Sequence, residues 1–420
     1  MADTATMSVP PPGTAPPADM AEADDPARRP VVTLLPGGHR RAEAGHPWIY
    51  SNEIAMDAAA KALPAGALVT LRRSDERPLG VAMFNPHTLL AARLLDRDAA
   101  RPIGKRFFVR HLERALRLRE RIYRAPYYRL IHAEADGLPG LVIDRFGSVL
   151  VVQANTAGID RLMPLVLDAL QQVLSPDAIA LRNDSPARAL EGLPAETRVA
   201  AGQIDGPAPL EENGVLYEAD VLAGQKTGWF YDQRDNRAFI AALADGARVI
   251  DLYTYSGGFA VAAARAGAAS VLGIDRSEPA LALAESASRR NDIAERCTFR
   301  RAEVFAEAAA LSASGDRFDI VIADPPPFAR SKRDVGPALR GYRKLARLAA
   351  QLTAPGGILF LASCSHNVGA PDFAEAVRRG LADAGRGARI LRQAGAGSDH
   401  PVHPALPETA YLKALTLTLD

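Results

Sequence analysis

Apolar runs alternate with alanine-rich, helix-forming stretches along the second half of the chain. Six runs with the length and composition of buried strands lie at residues 249–253, 271–275, 297–301, 318–323, 358–362 and 412–419. Strands that alternate with helices in this way build a mostly parallel, doubly wound sheet. We therefore predict an α/β fold for residues 223–420.

The first hundred residues carry a different pattern. Short alternating runs, separated by turn residues, lie at 31–35, 68–72, 79–84 and 90–95. Runs of this length and period predict a small all-β unit with the size of a compact barrel. We assign this unit to residues 30–100.

A mixed pattern fills the segment between these two units, and it predicts an α+β domain over residues 101–222. The predicted elements are two strands in 141–153 joined by a turn at 146–148, a helix at 159–174 and further strands at 179–182 and 216–221. No internal repeat is visible. Three folded units are compatible with a length of 420 residues.

Residues 1–29 cannot form a core. They contain six prolines, several acids and almost no large apolar side chains. Such a segment buries too little surface to offset its chain entropy, so we expect a disordered tail.

Composition also limits the class of protein. Only two cysteines occur, Cys297 and Cys364, so neither a disulfide framework nor a cysteine-based zinc site is available, and we assign no metal site. No run reaches the length of a membrane span, and the amino terminus lacks the pattern of a secretory signal. We expect a cytoplasmic protein.

The net charge of +1 hides a strongly basic segment. Residues 101–129 carry ten lysines and arginines against Glu113 and Glu120, in a pattern compatible with a helix. Phosphate is the partner that such a surface favours. The alternative is a solvated helix face paired with acids elsewhere.

A nucleotide-binding turn is predicted where the first strand of the carboxyl-terminal sheet meets its helix. The strand ends at Asp251 and continues through residues 256–258 into a helix near Phe259, so backbone N–H groups face a ligand above the sheet. The next strand ends in Asp275, 24 residues on, near the spacing at which an acid meets a ribose diol. The alternative is that the glycines only permit tight packing.

A nicotinamide dehydrogenase is a rival interpretation of this turn. The G-x-G-x-x-G fingerprint is absent, and the segment Asp324-Pro-Pro at the fourth strand has no role in hydride transfer. S-adenosylmethionine (SAM) fits better than NAD. Glu303 could accept a hydrogen bond from an adenine amino group, or it could be an ordinary acid at a helix start.

An acid and a thiol follow two later strands of the same sheet. Carbon 5 of a pyrimidine is a poor nucleophile, and a thiolate that adds to carbon 6 activates it toward a sulfonium methyl group. Cys364 is the candidate nucleophile, in a neighbourhood that must favour the thiolate, with Ser363, Ser365 and His366 as its polar setting. Asp324 could hold the base edge or protonate N3.

Two alternatives compete with this interpretation. A lone cysteine at a strand end is often only a small buried apolar residue, as we expect for Cys297. Enzymes that methylate exocyclic amines have an aromatic ring directly after the second proline, where this chain has Pro327 and only then Phe328. An amino-group methyltransferase is therefore disfavoured.

Several motifs together resemble one family. They are residues 45–54 (GHPWIYSNEI), 134–144 (EADGLPGLVID), 225–237 (QKTGWFYDQRDNR), 324–328 (DPPPF) and 363–365 (SCS). From about residue 31 onward, the chain resembles the bacterial ribosomal RNA 5-methylcytosine methyltransferases of the RlmI type. The resemblance implies an amino-terminal PUA-type RNA-binding barrel, a central α+β unit and a seven-stranded class I methyltransferase sheet. It also implies a cytosine of large-subunit (23S) ribosomal RNA as substrate.

The resemblance implies roles for individual residues, with Cys364 as nucleophile and Asp324 in the base-binding loop. The expected cofactor contacts are Asp251, Tyr253, Ser256, Gly257, Gly258, Phe259, Asp275, Arg276, Glu303, Val304 and Asp324. The expected substrate contacts are Lys226, Phe230, Gln233, Arg234, Phe328, Arg330 and Lys332. Lys226, Gln233 and Arg234 could close over either the cofactor carboxylate or an RNA phosphate. Glu303 and Pro327 depart from the family pattern, which has an aspartate at the first position and a less rigid loop at the second.

An RNA partner is also indicated by charge and aromatic residues near the acid loop. Basic residues from Arg330 to Arg347 follow that loop, and Phe328, Trp229 or Tyr231 could stack on an unstacked base. Two alternatives are also compatible with the sequence. One is methylation of another atom, such as a guanine nitrogen, and the other is a non-catalytic role in RNA binding and assembly. The sequence fixes neither the modified nucleotide nor the oligomeric state, for which a homodimer is one option.

Overall fold

The computed structural model of the chain describes residues 24–420. Its strands form two five-stranded sheets, one two-stranded ribbon and one seven-stranded sheet. Each of the three larger sheets belongs to one of the three units that the sequence pattern predicts. Within residues 24–420, no helix is long and apolar enough to cross a membrane.

The amino-terminal unit is a small β-structure with two short helices. Its elements are β1 (Val31–Thr33), α1 (Arg40–Glu43), β2 (Trp48–Ile49), α2 (Ala58–Lys61), β3 (Ala67–Arg72), β4 (Pro78–Phe84) and β5 (Ala92–Asp96). The strands pair in the order β1-β3-β4-β5-β2. Alternate residues of β3, namely Ala67, Val69 and Leu71, point into the core, as the period of two predicts. The two-residue strand β2 is too short for any pattern to predict.

Residues 24–29, which composition assigned to the disordered tail, are folded onto this unit. Arg29 is buried and pairs with Asp24. The Asp24 carboxylate also accepts a hydrogen bond from the backbone N–H of Ile103 at 2.7 Å. Residues 1–23 of the predicted tail lie outside the described residues.

The central unit is a five-stranded sheet covered by two long helices. Its elements are α3 (Lys105–Ile122), β6 (Tyr127–His132), β7 (Leu141–Phe146), β8 (Val149–Ala154), α4 (Ala157–Leu174), β9 (Ala178–Asn183), α5 (Ala187–Leu190) and β10 (Glu196–Ala201). The strand order is β10-β9-β8-β7-β6. A ribbon of β11 (Ala208–Glu212) and β12 (Val215–Ala219) follows. The predicted turn at 146–148 joins β7 to β8, whereas β6, β10 and β11 were not predicted.

Two of the ten basic residues in 101–129 are structural. Arg119 is fully buried and makes a two-pronged salt bridge with Asp136 at 2.7 and 2.8 Å. Arg129 makes a similar pair with the buried Asp144, with both contacts at 2.8 Å. The interpretation of this segment as a phosphate-binding surface is therefore wrong for these two residues.

The carboxyl-terminal unit is the predicted doubly wound sheet. Its elements are α6 (Arg234–Ala241), β13 (Arg248–Leu252), α7 (Gly258–Arg265), β14 (Ser270–Asp275), α8 (Glu278–Arg290), β15 (Cys297–Arg301), α9 (Val304–Ala313), β16 (Phe318–Ala323), α10 (Val335–Leu352), β17 (Thr353–Ser363), α11 (Ala370–Asp383), β18 (Ala388–Ala394) and β19 (Lys413–Leu419). The strand order is β15-β14-β13-β16-β17-β19-β18, with β19 antiparallel to both neighbours. Seven strands are present, as expected.

The three units are joined by polar contacts between the motifs that carried the resemblance. The indole N–H of Trp48 in the first unit donates to Glu134 in the second at 2.9 Å. The hydroxyl of Thr227, near the start of the third unit, donates to Asp144 in the second at 2.5 Å. The first unit is therefore linked to the second, and the second to the third, by specific side-chain contacts.

Candidate active site

A cleft of about 610 Å³ opens at the carboxyl ends of the parallel strands β13, β14, β16 and β17. This is the edge at which open α/β sheets bind ligands, and the size suits a small-molecule site. Of the predicted site residues, the cleft is lined by Lys226, Phe230, Gln233, Tyr253, Ser256, Gly258, Phe259, Asp275, Arg276, Glu303, Val304, Asp324, Phe328 and Cys364. The nucleotide turn, the acid and the thiol therefore share one cavity.

The turn after β13 has an unusual backbone. Tyr253 and Tyr255 have φ values of +66° and +51°, and Gly257 has a φ of +79° at the cap of α7. A Cβ atom added to Gly257 would lie 2.8 Å from the Cβ of Ala284 on α8. Glycine is needed at 257 for backbone conformation and for close helix packing, which supports the packing interpretation for this residue.

Substitution of Gly257 by alanine is expected to destabilise the fold by about 2 to 4 kcal/mol, because strain in φ adds to the overlap with Ala284. The same change should weaken binding of S-adenosylhomocysteine (SAH). Urea unfolding and calorimetry measure the two effects. Gly315→Ala is the control, since Gly315 has a φ of +85° but an added Cβ there would have no atom of residues 24–420 within 4 Å. Equal losses in both variants would contradict this account.

Asp251 does not line the cleft, in contrast to its predicted place around the cofactor. The residue is 1% exposed and accepts hydrogen bonds from the hydroxyl of Thr254 at 2.6 Å and the backbone N–H of Ala260 at 3.1 Å. Burial raises its pKa to about 7. Asp251 therefore shapes the turn from below. Gly257 is also absent from the lining.

Ser256 in the turn, Asp275 at the end of β14 and Glu303 after β15 fit a nucleoside cofactor. The hydroxyl of Ser256 is buried in the cleft wall and has no hydrogen-bond partner in the described part of the chain. Asp275 is held by the backbone N–H groups of Tyr255 and Ser277 at 3.0 and 2.9 Å, and it lines the cleft. Glu303 caps α9 through the N–H of Ala306 at 2.8 Å. SAM, when bound here, supplies an electrophilic methyl group.

The acid loop begins directly after β16. Burial raises the pKa of Asp324 to about 6, with nearby Asp232 adding to the effect and a hydrogen bond from Gln233 opposing it. Phe328 packs on the ring of Tyr342 with ring centres 4.7 Å apart. With a pKa of about 6, a fraction of Asp324 is protonated near neutral pH, and this form can act as a general acid.

Cys364 faces the acid loop from the end of β17. Its Sγ atom is 4.0 Å from the carbonyl oxygen of Pro325, and the side chain is partly buried. Burial raises the pKa of the thiol to about 11, a rise that Asp324 increases and Lys226 opposes. The expectation of a neighbourhood that favours the thiolate is therefore wrong for the free protein, in which the thiol is neutral.

The serines beside the cysteine belong to the other face of the strand. Ser363 and Ser365 are fully buried, and each shares a hydrogen bond with the hydroxyl of Tyr342, at 2.8 and 2.9 Å. Successive side chains of a strand point to opposite faces, so these serines cannot form the predicted polar setting of Cys364. His366 stacks on Tyr411 instead, with ring centres 5.0 Å apart.

Asp232, a charged residue near the thiol, was not among the site residues predicted from sequence. Asp232 lines the cleft, and its Oδ2 atom accepts from the hydroxyl of Tyr411 and lies 3.4 Å from Nζ of Lys226. Lys226 has a φ of +52°, and its Nζ atom lies 4.3 Å from the ring centre of Phe230. Asp232 lies in the motif 225–237, so a closer inspection of its acids could have found it.

Three predicted substrate contacts do not line the cleft. Arg234 is buried beneath Tyr123, with its guanidinium carbon 4.3 Å from the ring centre. Arg330 and Lys332 are exposed on the segment that follows Phe328. Of the aromatic candidates for base stacking, Trp229 reaches the cleft wall, whereas Tyr231 is buried away from it and donates to the carbonyl of Arg145 at 2.8 Å.

The segment that carries Lys226 is fixed by the central unit. Asp144 holds both Arg129 and Thr227, so Asp144→Ala is expected to destabilise the protein by about 3 to 5 kcal/mol by leaving a buried arginine unpaired. Urea unfolding measures the change. Asp177→Ala, at an exposed aspartate of the same unit, should change stability by less than about 0.5 kcal/mol. A loss at Asp144 no larger than this control would contradict the account.

Comparison with known proteins defines the class. Residues 180–418 match the family model of S-adenosylmethionine-dependent methyltransferases, and residues 32–97 match that of PUA-like domains. The protein is thus a SAM-dependent methyltransferase with a PUA-like domain. The predicted fold class and cofactor are confirmed.

Relatives define the family more closely. Ribosomal RNA large subunit methyltransferase I of Shewanella amazonensis is 36% identical over 389 residues, which cover 91% of this chain and 98% of the relative. The protein of the same name from Pseudoalteromonas atlantica is 36% identical over 391 residues, with the same shares of the two chains. The chain belongs to the ribosomal RNA large subunit methyltransferase I family.

Solved structures share the fold over nearly the whole chain. A candidate SAM-dependent methyltransferase from Streptococcus mutans has a TM-score of 0.77 at 19% identity and covers 93% of this chain and 100% of its own. SMU.776, a candidate methyltransferase solved with SAH, has a TM-score of 0.78 at 21% identity and covers 93% and 99%. At these identities the similarity concerns the fold.

Proposed function

We propose that this methyltransferase forms 5-methylcytosine in large-subunit ribosomal RNA through a covalent bond between Cys364 and carbon 6 of the base. One observation carries the proposal: Cys364, Asp324 and the cofactor turn line the same cleft. An enzyme that methylates a nitrogen has no need of a thiol beside its catalytic acid. The names of the relatives support ribosomal RNA as the substrate class.

The residues of the cleft have distinct tasks in this reaction. The thiol of Cys364 loses its proton to water, with Lys226 favouring the anion, and the thiolate adds to carbon 6 as Asp324 gives its proton to N3. Carbon 5 then takes the methyl group of SAM, whose bond between the methyl carbon and the sulfonium sulfur breaks to leave SAH, and carbon 5 loses its own proton to water. The C6–Sγ bond breaks as N3 returns its proton to Asp324, which restores the base and the thiolate.

The RNA has to present an unstacked cytosine to this cleft. Phe328 lines it beside Asp324, and an aromatic ring in that position can stack on an extruded base. The segment after Phe328 carries exposed cations, to which phosphates of the RNA can bind. These cations are Arg330, Lys332, Arg333 and Arg340. The PUA-like domain would add a second RNA contact.

Mass mapping of ribosomal RNA from a strain that lacks this protein tests the proposal. The expected result is the loss of one methyl group from carbon 5 of a single large-subunit cytosine, restored by the wild-type gene. Loss of a methyl group from a nitrogen or an oxygen would overturn the assignment of the atom. An unchanged methylation map would overturn the ribosomal substrate.

A further inference from the structure

Asp232 is a buried carboxylate of the cleft with one oxygen still free to bind. The residue is 3% exposed, and its Oδ2 atom is occupied by Tyr411 and Lys226. Its Oδ1 atom is shielded from solvent and has no hydrogen-bond partner within residues 24–420. An unpaired buried acceptor is unfavourable, so a ligand that donates to it is favoured.

The carboxylate of Asp232 stays ionised. Burial alone would raise its pKa, but nearby groups hold the pKa well below its ordinary value. These groups are, in order of strength, Lys226, His400, the hydroxyl of Tyr411 and Arg129. An ionised carboxylate only accepts hydrogen bonds, so the ligand group at Oδ1 has to be an N–H or O–H donor.

We propose that Oδ1 of Asp232 accepts a hydrogen bond from the exocyclic amino group of the target cytosine and thereby selects cytosine over uracil. The inference rests on the proposed function and assigns a residue that discriminates between bases. Asp232 and Asp324 line the same cleft as Cys364, and the charge of Asp232 acts on both Asp324 and Cys364, so the three side chains are neighbours within the cleft. Uracil has a carbonyl oxygen in place of the amino group. Because a carbonyl oxygen and a carboxylate both only accept hydrogen bonds, uracil would be repelled at this position.

The second carboxyl group complements the first. Burial raises the pKa of Asp324 to about 6, so near neutral pH it can donate a proton to N3 while Asp232 accepts from the amino group. Cytosine presents a donor beside an acceptor on this edge, and uracil presents the reverse. The form of the enzyme in which Asp232 is ionised and Asp324 is protonated therefore matches cytosine and not uracil.

Binding of modified RNA to the wild-type enzyme tests the proposal first. A large-subunit RNA transcript in which 2-pyrimidinone replaces the target cytosine lacks only the amino group. We expect its Kd to be about tenfold to a hundredfold higher than that of the cytosine transcript. Equal Kd values would overturn the assignment. Because only wild-type enzyme is used, the result does not depend on whether a variant folds.

The variant Asp232→Asn tests the residue itself. We expect the difference in Kd between the two transcripts to fall to less than about threefold, and the preference in kcat/KM for cytosine over a uracil transcript to fall by at least about tenfold. Asp235→Asn is the matched control, because Asp235 is exposed three residues later and lies outside the cleft lining. It should behave as wild type. Calorimetry with SAH checks that both variants are folded.

The outcomes separate this inference from the function on which it rests. If wild-type enzyme forms no 5-methylcytosine, the proposed function fails and this inference fails with it. If wild-type enzyme does form 5-methylcytosine but Asp232→Asn keeps full discrimination, only the role of Asp232 is refuted. Weaker SAH binding by Asp232→Asn with unchanged base preference would place the carboxylate at the cofactor instead.

Discussion

Replacement of Cys364 by alanine is expected to lower the rate of methyl transfer by on the order of 10⁴-fold or more, with SAH affinity unchanged. Without Sγ, carbon 5 of the pyrimidine stays too weak a nucleophile to attack a sulfonium methyl group. The side chain is partly buried at the border of the core, and its hydrogen bond to the carbonyl of Pro325, at 4.0 Å, is weak, so its loss should not unfold the protein. Transfer of a tritiated methyl group to unmodified large-subunit RNA measures the rate.

Cys297→Ala provides the matched control for this experiment. Cys297 lies in the edge strand β15, is partly buried and does not line the cleft. Its replacement should leave the rate within about twofold of wild type, since it touches none of the reacting groups. A rate for Cys364→Ala similar to that of this control would make Cys364 structural and would favour methylation of a nitrogen.

Replacement of Asp324 by asparagine is expected to lower kcat/KM by about 10²- to 10⁴-fold at pH 7 and to change the shape of its pH profile. The reactive enzyme carries a thiolate at Cys364, with a pKa of about 11, and a proton on Asp324, with a pKa of about 6. Below pH 6 the acid is protonated and the thiolate fraction grows with pH, so kcat/KM of the wild type rises. Above pH 6 the loss of the acid offsets the gain in thiolate, and kcat/KM becomes flat.

The Asp324→Asn variant has no acid to lose above pH 6, so nothing offsets its gain in thiolate. With asparagine at 324, kcat/KM should continue to rise by about tenfold per pH unit from pH 5 to 9, because only the ionisation of Cys364 remains. Initial rates with saturating SAM across this range distinguish the two profiles. Parallel profiles for wild type and variant would show that the flattening of the wild-type profile above pH 6 does not belong to Asp324.

The sheet could be predicted from sequence because its strands are buried on both faces. Continuous apolar runs mark β13, β14 and β16, and their predicted bounds lie within one residue of those observed. The strand β18 was missed because its side chains are mostly exposed, so no apolar run marks it. In the central unit, β10 is an exposed edge strand of the same kind. Edge strands are defined by pairing with a distant segment, which a local pattern does not contain.

The site could be predicted only in part. Cys364, Asp324 and Asp275 each follow a buried strand, and the geometry of parallel sheets brings such positions together. Contacts from outside the sheet were not foreseen: Tyr411 reaches Asp232 across 179 residues of sequence, and Asp144 belongs to another unit. A local sequence pattern also does not show which of these side chains are buried.

The environments predicted from sequence for the thiol and for one arginine were wrong. The raised pKa of Cys364 follows from desolvation, which depends on how the cleft closes around the sulfur. Arg234 belongs to a motif with cationic character, yet the fold buries it beneath Tyr123. Composition shows which charges exist, while the tertiary structure decides which of them face a ligand.

Trapping of the enzyme on RNA that contains 5-fluorocytosine tests the central claim most directly. Fluorine at carbon 5 cannot leave as a proton does, so the bond between carbon 6 and Sγ should persist after methyl transfer. We predict that wild-type enzyme with SAM forms a denaturant-resistant complex, and that mass spectrometry of its peptides finds the nucleotide on Cys364. No adduct with wild-type enzyme, or an adduct that Cys364→Ala retains, would contradict the account.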